Sequence, residues 1–112
     1  MNENKYKPNI LVICGRNKRR SRTAEFIYKN DSRFKIRSAG LSPQSNHKVN
    51  EKDLQWSDII LVMENEHQKK LKSLFRNFGF PKIVTLQIPD DYEYMDEELI
   101  EILTKKIEEI IE

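Results

Sequence analysis

Apolar residues fall along this chain in two rhythms. Ile10-Leu11-Val12-Ile13 and Ile59-Ile60-Leu61-Val62-Met63 are unbroken runs, the pattern of strands covered on both faces. Phe34-Lys35-Ile36-Arg37 alternates and runs into Ser38-Ala39-Gly40, and Lys82-Ile83-Val84-Thr85-Leu86 follows the break at Gly79-Phe80-Pro81, which predicts two further strands. Between them the spacing turns helical. Ala24, Ile27 and Tyr28 share one face of a helix that opens with Ser21 as its N-cap and stops near Asn30-Asp31. A short helix is predicted from Val49 to Trp56, and another over Glu66 to Phe75 on the spacing of His67, Leu71, Leu74 and Phe75. A last helix is capped by Asp96, carries Glu97 and Glu98 in its first turn, and buries a stripe of Leu99, Leu103, Ile107, Ile110 and Ile111. Residues 1–9 read as a polar lead-in.

Strands alternating with helices predict an α/β three-layer sandwich, a small four-stranded parallel sheet with helices on both faces. Ligands of such sheets bind at the carboxyl ends of the strands. The segments to watch are therefore residues 14–21, Ser38-Ala39-Gly40, Glu64-Asn65 and the stretch from Gln87 to Met95, which holds Asp90, Asp91, Tyr92 and Tyr94.

Composition narrows the picture. A length of 112 residues with 38% hydrophobic content suits one domain spanning 1–112 with a modest core. Cys14 is the only cysteine, so no internal disulfide and no cysteine-based zinc site is expected. With no apolar run of membrane-spanning length and no signal-peptide pattern at the N-terminus, a cytoplasmic protein is expected. Net charge is only +2, but residues 1–33 carry nine Lys and Arg against three Asp and Glu, whereas residues 87–112 carry two against ten. The basic third favours an anionic ligand, and the acidic end reads as a solvated helix face.

The basic third centres on Cys14-Gly15-Arg16-Asn17-Lys18-Arg19-Arg20-Ser21, the turn from the first strand into the first helix. A turn in this position aims backbone N–H groups and a helix N-terminus at one point, which is how proteins hold phosphate. Five residues separate Cys14 from Arg20. That spacing suits a loop around a tetrahedral oxyanion, with the thiol beneath it and the planar guanidinium donating to two of its oxygens. Helix N-terminus, backbone donors and a Ser21 hydroxyl are surroundings in which a thiolate nucleophile is expected. Attack on phosphorus gives a cysteinyl phosphate, and the leaving oxygen then needs an acid, for which Asp90 or Asp91 is available.

In these residues the chain resembles the low-molecular-weight protein tyrosine phosphatases, whose signature is a cysteine, five residues, an arginine and a serine or threonine between first strand and first helix. Cys14, Arg20 and Ser21 match it, and Asn17, Ala24-Glu25, Ser38-Ala39-Gly40 and residues 58–63 extend the likeness over nearly the whole chain. The resemblance implies a metal-independent phosphomonoesterase without cofactors, acting on a phosphorylated protein or a small aryl phosphate. It implies Cys14 as nucleophile and Gly15, Arg16, Asn17, Lys18, Arg19, Arg20 and Ser21 as the phosphate loop. Asp90-Asp91-Tyr92 falls where the family has Asp-Pro-Tyr/Phe, which makes Asp90 the general acid, with Asp91 as alternative, and Tyr92 a wall of the substrate slot.

The departures from the family are Arg16 in place of a glycine, Arg19 in place of a second cysteine, and Asp91 in place of the proline. Without the second cysteine no protective disulfide to Cys14 forms. Arg16, Lys18, Arg19 and Arg22 make the loop more basic than phosphate binding demands, which favours substrates carrying extra negative charge or else forms a solvated surface. A competing reading is a non-catalytic anion-binding protein that uses loop 14–22 to hold a phosphorylated partner or nucleic acid. No aromatic-interleaved basic motif supports the latter. Arsenate reduction on the same scaffold needs cysteines that are absent, and Arg20 argues against a phosphocysteine carrier. His47 and His67 lack metal-ligand spacing and are read as structural or surface residues, Trp56 as core, and Tyr92 and Tyr94 as either slot residues or staples of the last helix.

Overall fold

A computed structural model of the chain describes residues 7–111; of the expected lead-in, residues 1–6 lie outside the described residues. Its elements are β1 (Asn9–Cys14), α1 (Arg20–Tyr28), β2 (Lys35–Gly40), α2 (Glu51–Trp56), β3 (Ile59–Val62), α3 (Asn65–Leu74), β4 (Lys82–Thr85) and α4 (Glu97–Ile111). The strands pair in parallel in the order β2-β1-β3-β4. Each predicted element is present, with ends that shift by a few residues.

Alternation along the two inner strands divides the core. Ile10, Val12, Leu61 and Met63 face one side, where they meet Ala24 and Tyr28 of α1 and Leu99, Leu103 and Ile107 of α4. Leu11, Ile13, Ile60 and Val62 face the other, against Leu54 of α2 and Leu71 of α3. Residues 10 to 13 are wholly inaccessible to solvent, which is why that run of β1 shows no polar position. Burying each of those four side chains contributes about 1.5–3 kcal/mol.

The strand order places the site. From β1 the chain leaves through α1 to β2 on one side, then returns through α2 to β3 on the other side of β1. The C-terminal ends of β1 and β3 are thus adjacent while their following segments diverge, and a crevice opens between them. Among the described residues, no helix is long and apolar enough to cross a membrane.

Three local findings refine the sequence reading. The helix expected to begin after Ser21 begins at Arg20, so Ser21 lies inside the first turn of α1, and the N-cap position, Arg19, makes no side-chain cap. The short helix α2 is capped reciprocally by Asn50 and Asp53. Trp56 is half-buried against the α2 and α3 side of the core, with the Arg37 guanidinium 4.1 Å from its ring centroid.

Candidate active site

β1 ends at Cys14, whose side chain is 3% exposed, and the next five residues turn through a loop into α1. The outward side of that loop is anchored to the segment after β2. Leu41 N–H donates to the carbonyls of Cys14 and Gly15, and Ser42 N–H to that of Gly15. Asn46 reaches the carbonyl of Arg16 through its backbone N–H and that of Asn17 through its side-chain amide, 2.7 Å away. In a trans peptide the carbonyl of one residue and the N–H of the next point in opposite directions, and the described chain has no cis bond. With the carbonyls of residues 14–17 turned to the outside, the N–H groups of Gly15, Arg16, Asn17 and Lys18 turn inward, and they form a concave set of donors.

Asn17 makes this turn possible. Its φ of 56° lies in the left-handed region, which asparagine tolerates better than most side chains. Its buried amide donates to Ser21 Oγ at 2.9 Å and to Ser38 Oγ at 2.8 Å, tying loop, helix and β2 together. Ser38 in turn donates its hydroxyl to Glu25. Since a carboxylate only accepts, the Ser38 oxygen must accept from Asn17, which fixes which end of the Asn17 amide is the nitrogen. Ser21 Oγ also accepts from Asn17, so its own hydrogen is free for Cys14 Sγ, 3.0 Å away. The Ser21 hydroxyl is thus available as a donor to the sulfur, and it is the donor whenever the sulfur is a thiolate, which can only accept.

Arg20 is 4% exposed, and a cation buried this deeply needs partners. Its Nη1 donates to Glu64 Oε2 at 2.5 Å and to the carbonyl of Ile88 at 2.7 Å. Nε lies 3.6 Å from Asp90 Oδ1, an ion pair longer than a hydrogen bond. The Nε and Nη2 edge, a planar pair of donors, stands outside those hydrogen bonds.

Around this centre lies an open cleft of about 430 Å³. The loop contributes Cys14, Gly15, Arg16, Lys18, Arg19 and Arg20; the start of α3 contributes Glu64, Glu66 and His67; the segment after β4 contributes Asp90. Arg16, Lys18 and Arg19 carry their charges at the exposed rim, so the cleft is basic on the loop side and acidic on the side of α3 and Asp90. Asp91 is exposed and is not part of the lining. Tyr92 packs against the core beside α4 instead of facing the cleft, and Tyr94 lies on the outer side of α1 with Arg22 5.1 Å from its ring centroid.

Two cleft residues had been given no chemical part in the sequence reading. Glu64 belongs to one of the segments expected at the ligand edge of the sheet, without a stated role, and His67 reads as a helix-face residue. Both are placed by the turn from β3 into α3, where Glu64 N–H donates to His67 Nδ1 at 3.2 Å. Burial, with the Arg20 charge adding to it, holds the His67 imidazole below its ordinary pKa, so the ring is neutral near neutral pH. His47 pairs at 2.8 Å with Asp53 near α2, outside the cleft lining.

No protein-family model and no curated protein sequence matches the chain. Solved structures match its backbone closely. A low-molecular-weight protein tyrosine phosphatase from Streptococcus pyogenes superposes with a TM-score of 0.77 at 20% identity, over 93% of this chain and 91% of that one. The tyrosine phosphatase Wzb from Escherichia coli K30, in complex with phosphate, gives 0.70 at 20% identity, over 95% and 97%. The YwlE arginine phosphatase from Geobacillus stearothermophilus gives 0.69 at 18% identity, over 92% of each chain. At these identities the likeness is one of architecture, over more than nine-tenths of the chain: the chain has the fold of the low-molecular-weight protein tyrosine phosphatases.

Proposed function

We propose that the protein is a phosphomonoesterase that works through a cysteinyl phosphate, with phosphotyrosine in proteins as its substrate class. The observation that carries this reading is the 3.0 Å contact between Cys14 Sγ and a Ser21 hydroxyl that accepts from Asn17 and has its own hydrogen available to a thiolate. A structural thiol in a core has no use for such a donor, whereas a sulfur that attacks and then departs as an anion does.

In the proposed reaction the substrate phosphoryl group sits in the concave donors of residues 15–18, with two of its oxygens on the Nε and Nη2 edge of Arg20. The Cys14 sulfur attacks phosphorus, the S–P bond forms, and the ester P–O bond breaks as Asp90 gives its proton to the leaving oxygen. Asp90 then takes a proton from water, the resulting hydroxide attacks phosphorus, and the S–P bond breaks to return the thiolate and release inorganic phosphate. Asp90 suits both steps because it lines the cleft yet is more than half exposed to water.

A second reading has an observation in its favour. Glu64, Glu66 and Asp90 make one side of the cleft acidic, which suits a cationic leaving group, and one structural neighbour is described as an arginine phosphatase. Phosphoarginine and phosphotyrosine peptides of the same sequence, assayed side by side, separate the two.

The general test is hydrolysis of para-nitrophenyl phosphate in the presence of a chelator. Wild type should turn over, Cys14→Ser should lose all measurable activity, and Arg20→Ala should lose roughly 10²–10³-fold in kcat. Asp90→Ala should fall more with phenols of high pKa than with para-nitrophenol, since only a poor leaving group needs the proton. Activity retained in Cys14→Ser excludes the covalent route, and a leaving-group effect in Asp91→Ala instead moves the acid by one residue. Tight phosphate binding with no turnover would favour the anion-binding alternative.

A further inference from the structure

We propose that His67 is a substrate-contacting residue of this site, its Nε2–H donating a hydrogen bond to an oxygen of the bound phosphoryl group. The inference rests on the phosphoryl-transfer reading of the cleft, and it adds a donor from α3 that neither the loop signature nor the fold assigns.

Three observations lead there. First, the tautomer is set, because Nδ1 accepts the Glu64 N–H and a neutral ring must then carry its hydrogen on Nε2. Second, the ring edge is directed at the loop: Nε2 lies 3.9 Å from the point where a β-carbon on Gly15 would stand. Gly15 also supplies the first of the inward N–H groups, so an oxygen accepting that N–H, about 3 Å from the nitrogen, binds at the same residue that Nε2 approaches. Third, His67 lines the same cleft as Cys14, Arg20 and Asp90. The charged groups facing it are Arg20 from α1, Glu64 and Glu66 from its own helix, and Asp90 from the segment after β4. Burial and Arg20 together outweigh the three carboxylates and keep the ring neutral, so that it enters the site as a donor without adding a charge.

The geometry also separates the two edges of the ring by length of side chain. Asparagine places its oxygen where His67 has Nδ1 and can still accept the Glu64 N–H, but it has nothing at the position of Nε2. Glutamine places an amide nitrogen near the position of Nε2. His67→Asn should therefore melt like the wild type while kcat/KM for para-nitrophenyl phosphate falls about tenfold and inorganic phosphate inhibits about tenfold more weakly. His67→Gln should recover most of both.

In ¹⁵N-labelled wild type, titration with inorganic phosphate should shift the His67 Nε2 resonance with the Nε2–H tautomer kept, and this readout survives even where a variant folds poorly. A His67→Asn enzyme with wild-type phosphate inhibition, or an Nε2 signal that ignores bound phosphate, overturns the inference and leaves the reaction assignment standing. Wild-type protein that neither binds phosphate nor hydrolyses the ester overturns both.

Discussion

Ser21 lies one residue inside α1, and this small displacement from the cap position decides what its hydroxyl can do. A capping serine accepts from backbone N–H groups; this one accepts from Asn17 and stands 3.0 Å from Cys14 Sγ, where it can donate to a thiolate. In the proposed reaction that donor matters most when the sulfur leaves phosphorus as an anion. Ser21→Ala should therefore slow phosphoenzyme hydrolysis by about 10–100-fold, the range of one hydrogen bond to a charged group. Rapid-quench kinetics should then show a burst of para-nitrophenol, and an unchanged second step would show the hydroxyl to be structural. At this scale the sequence was legible where residue type and spacing define a placement. Cys14 ends β1, Arg20 opens α1 and Asp90 lines the same cleft, a placement that the pattern of a thiol, five residues and an arginine with a distant carboxylate led one to expect. Glu64 was legible only as part of a segment at the ligand edge, and His67 not at all, because their contacts in the cleft follow from the turn between β3 and α3, and a Glu three residues before a His reads as ordinary helix-start chemistry.

Among the elements, α4 illustrates how a charged helix is tied down. Leu99, Leu103 and Ile107 bury its apolar stripe, as the spacing predicts, while Glu108 on its flank accepts from Tyr28 Oη and from both terminal nitrogens of Arg33. Arg33 is shared with Asp31, so the turn after α1 is joined to α4 through two carboxylates. Hydrogen bonds from Arg33 hold Asp31 below its ordinary value of 3.8 and, joined by that from Tyr28, hold Glu108 below 4.5. The same carboxylate, after burial, raises the Tyr28 hydroxyl to about 12. Carboxylates whose folded-state pKa is lowered stabilise the protein above their unfolded values, and that stability is lost as pH falls through the lowered ones. Urea midpoints should accordingly fall from pH 5 toward pH 3, and less steeply in Arg33→Ala. Because the Arg33 side chain is half exposed, 0.5 M salt should weaken the difference. A variant with the wild-type slope would show that the triad carries no linkage. The strand and helix pattern was readable here since period two and period three to four are written directly into side-chain polarity. The ion pairs were not, as Arg33 and Glu108 meet only after the chain has closed.

Across the whole molecule, the site depends on a glycine that belongs to another strand. Gly40 ends β2, and a β-carbon there would stand 2.1 Å from Ser45 Oγ, 2.7 Å from Ser45 Cβ and 2.9 Å from the backbone carbon of Arg16. Gly40→Ala should destabilise the fold by about 1–3 kcal/mol and weaken phosphate inhibition, since the phosphate loop itself must move. Adding Ser45→Gly removes the contacts with Ser45 but not the one with Arg16, so urea stability should recover further than phosphate affinity. Equal recovery of both would show that the pressure on the loop is immaterial. The sequence pointed to Ser38-Ala39-Gly40 as a segment at the right edge of the sheet; that its glycine is a clearance for the loop of β1 is a matter of packing between segments.

The anchoring of the loop carbonyls to Leu41, Ser42 and Asn46 has a consequence for what this site can become. Those bonds hold the backbone, and none of them uses the side chains of Arg16, Lys18 or Arg19, which are exposed at the rim, Arg19 with Glu93 3.7 Å away. Shape and charge are therefore controlled by different parts of the chain. The socket is cast by main chain, Asn17 and the neighbouring segment, while the three rim positions act as interchangeable fittings. Exchanging them should retune which phosphorylated partners are admitted and leave the seat for the phosphoryl group as it is.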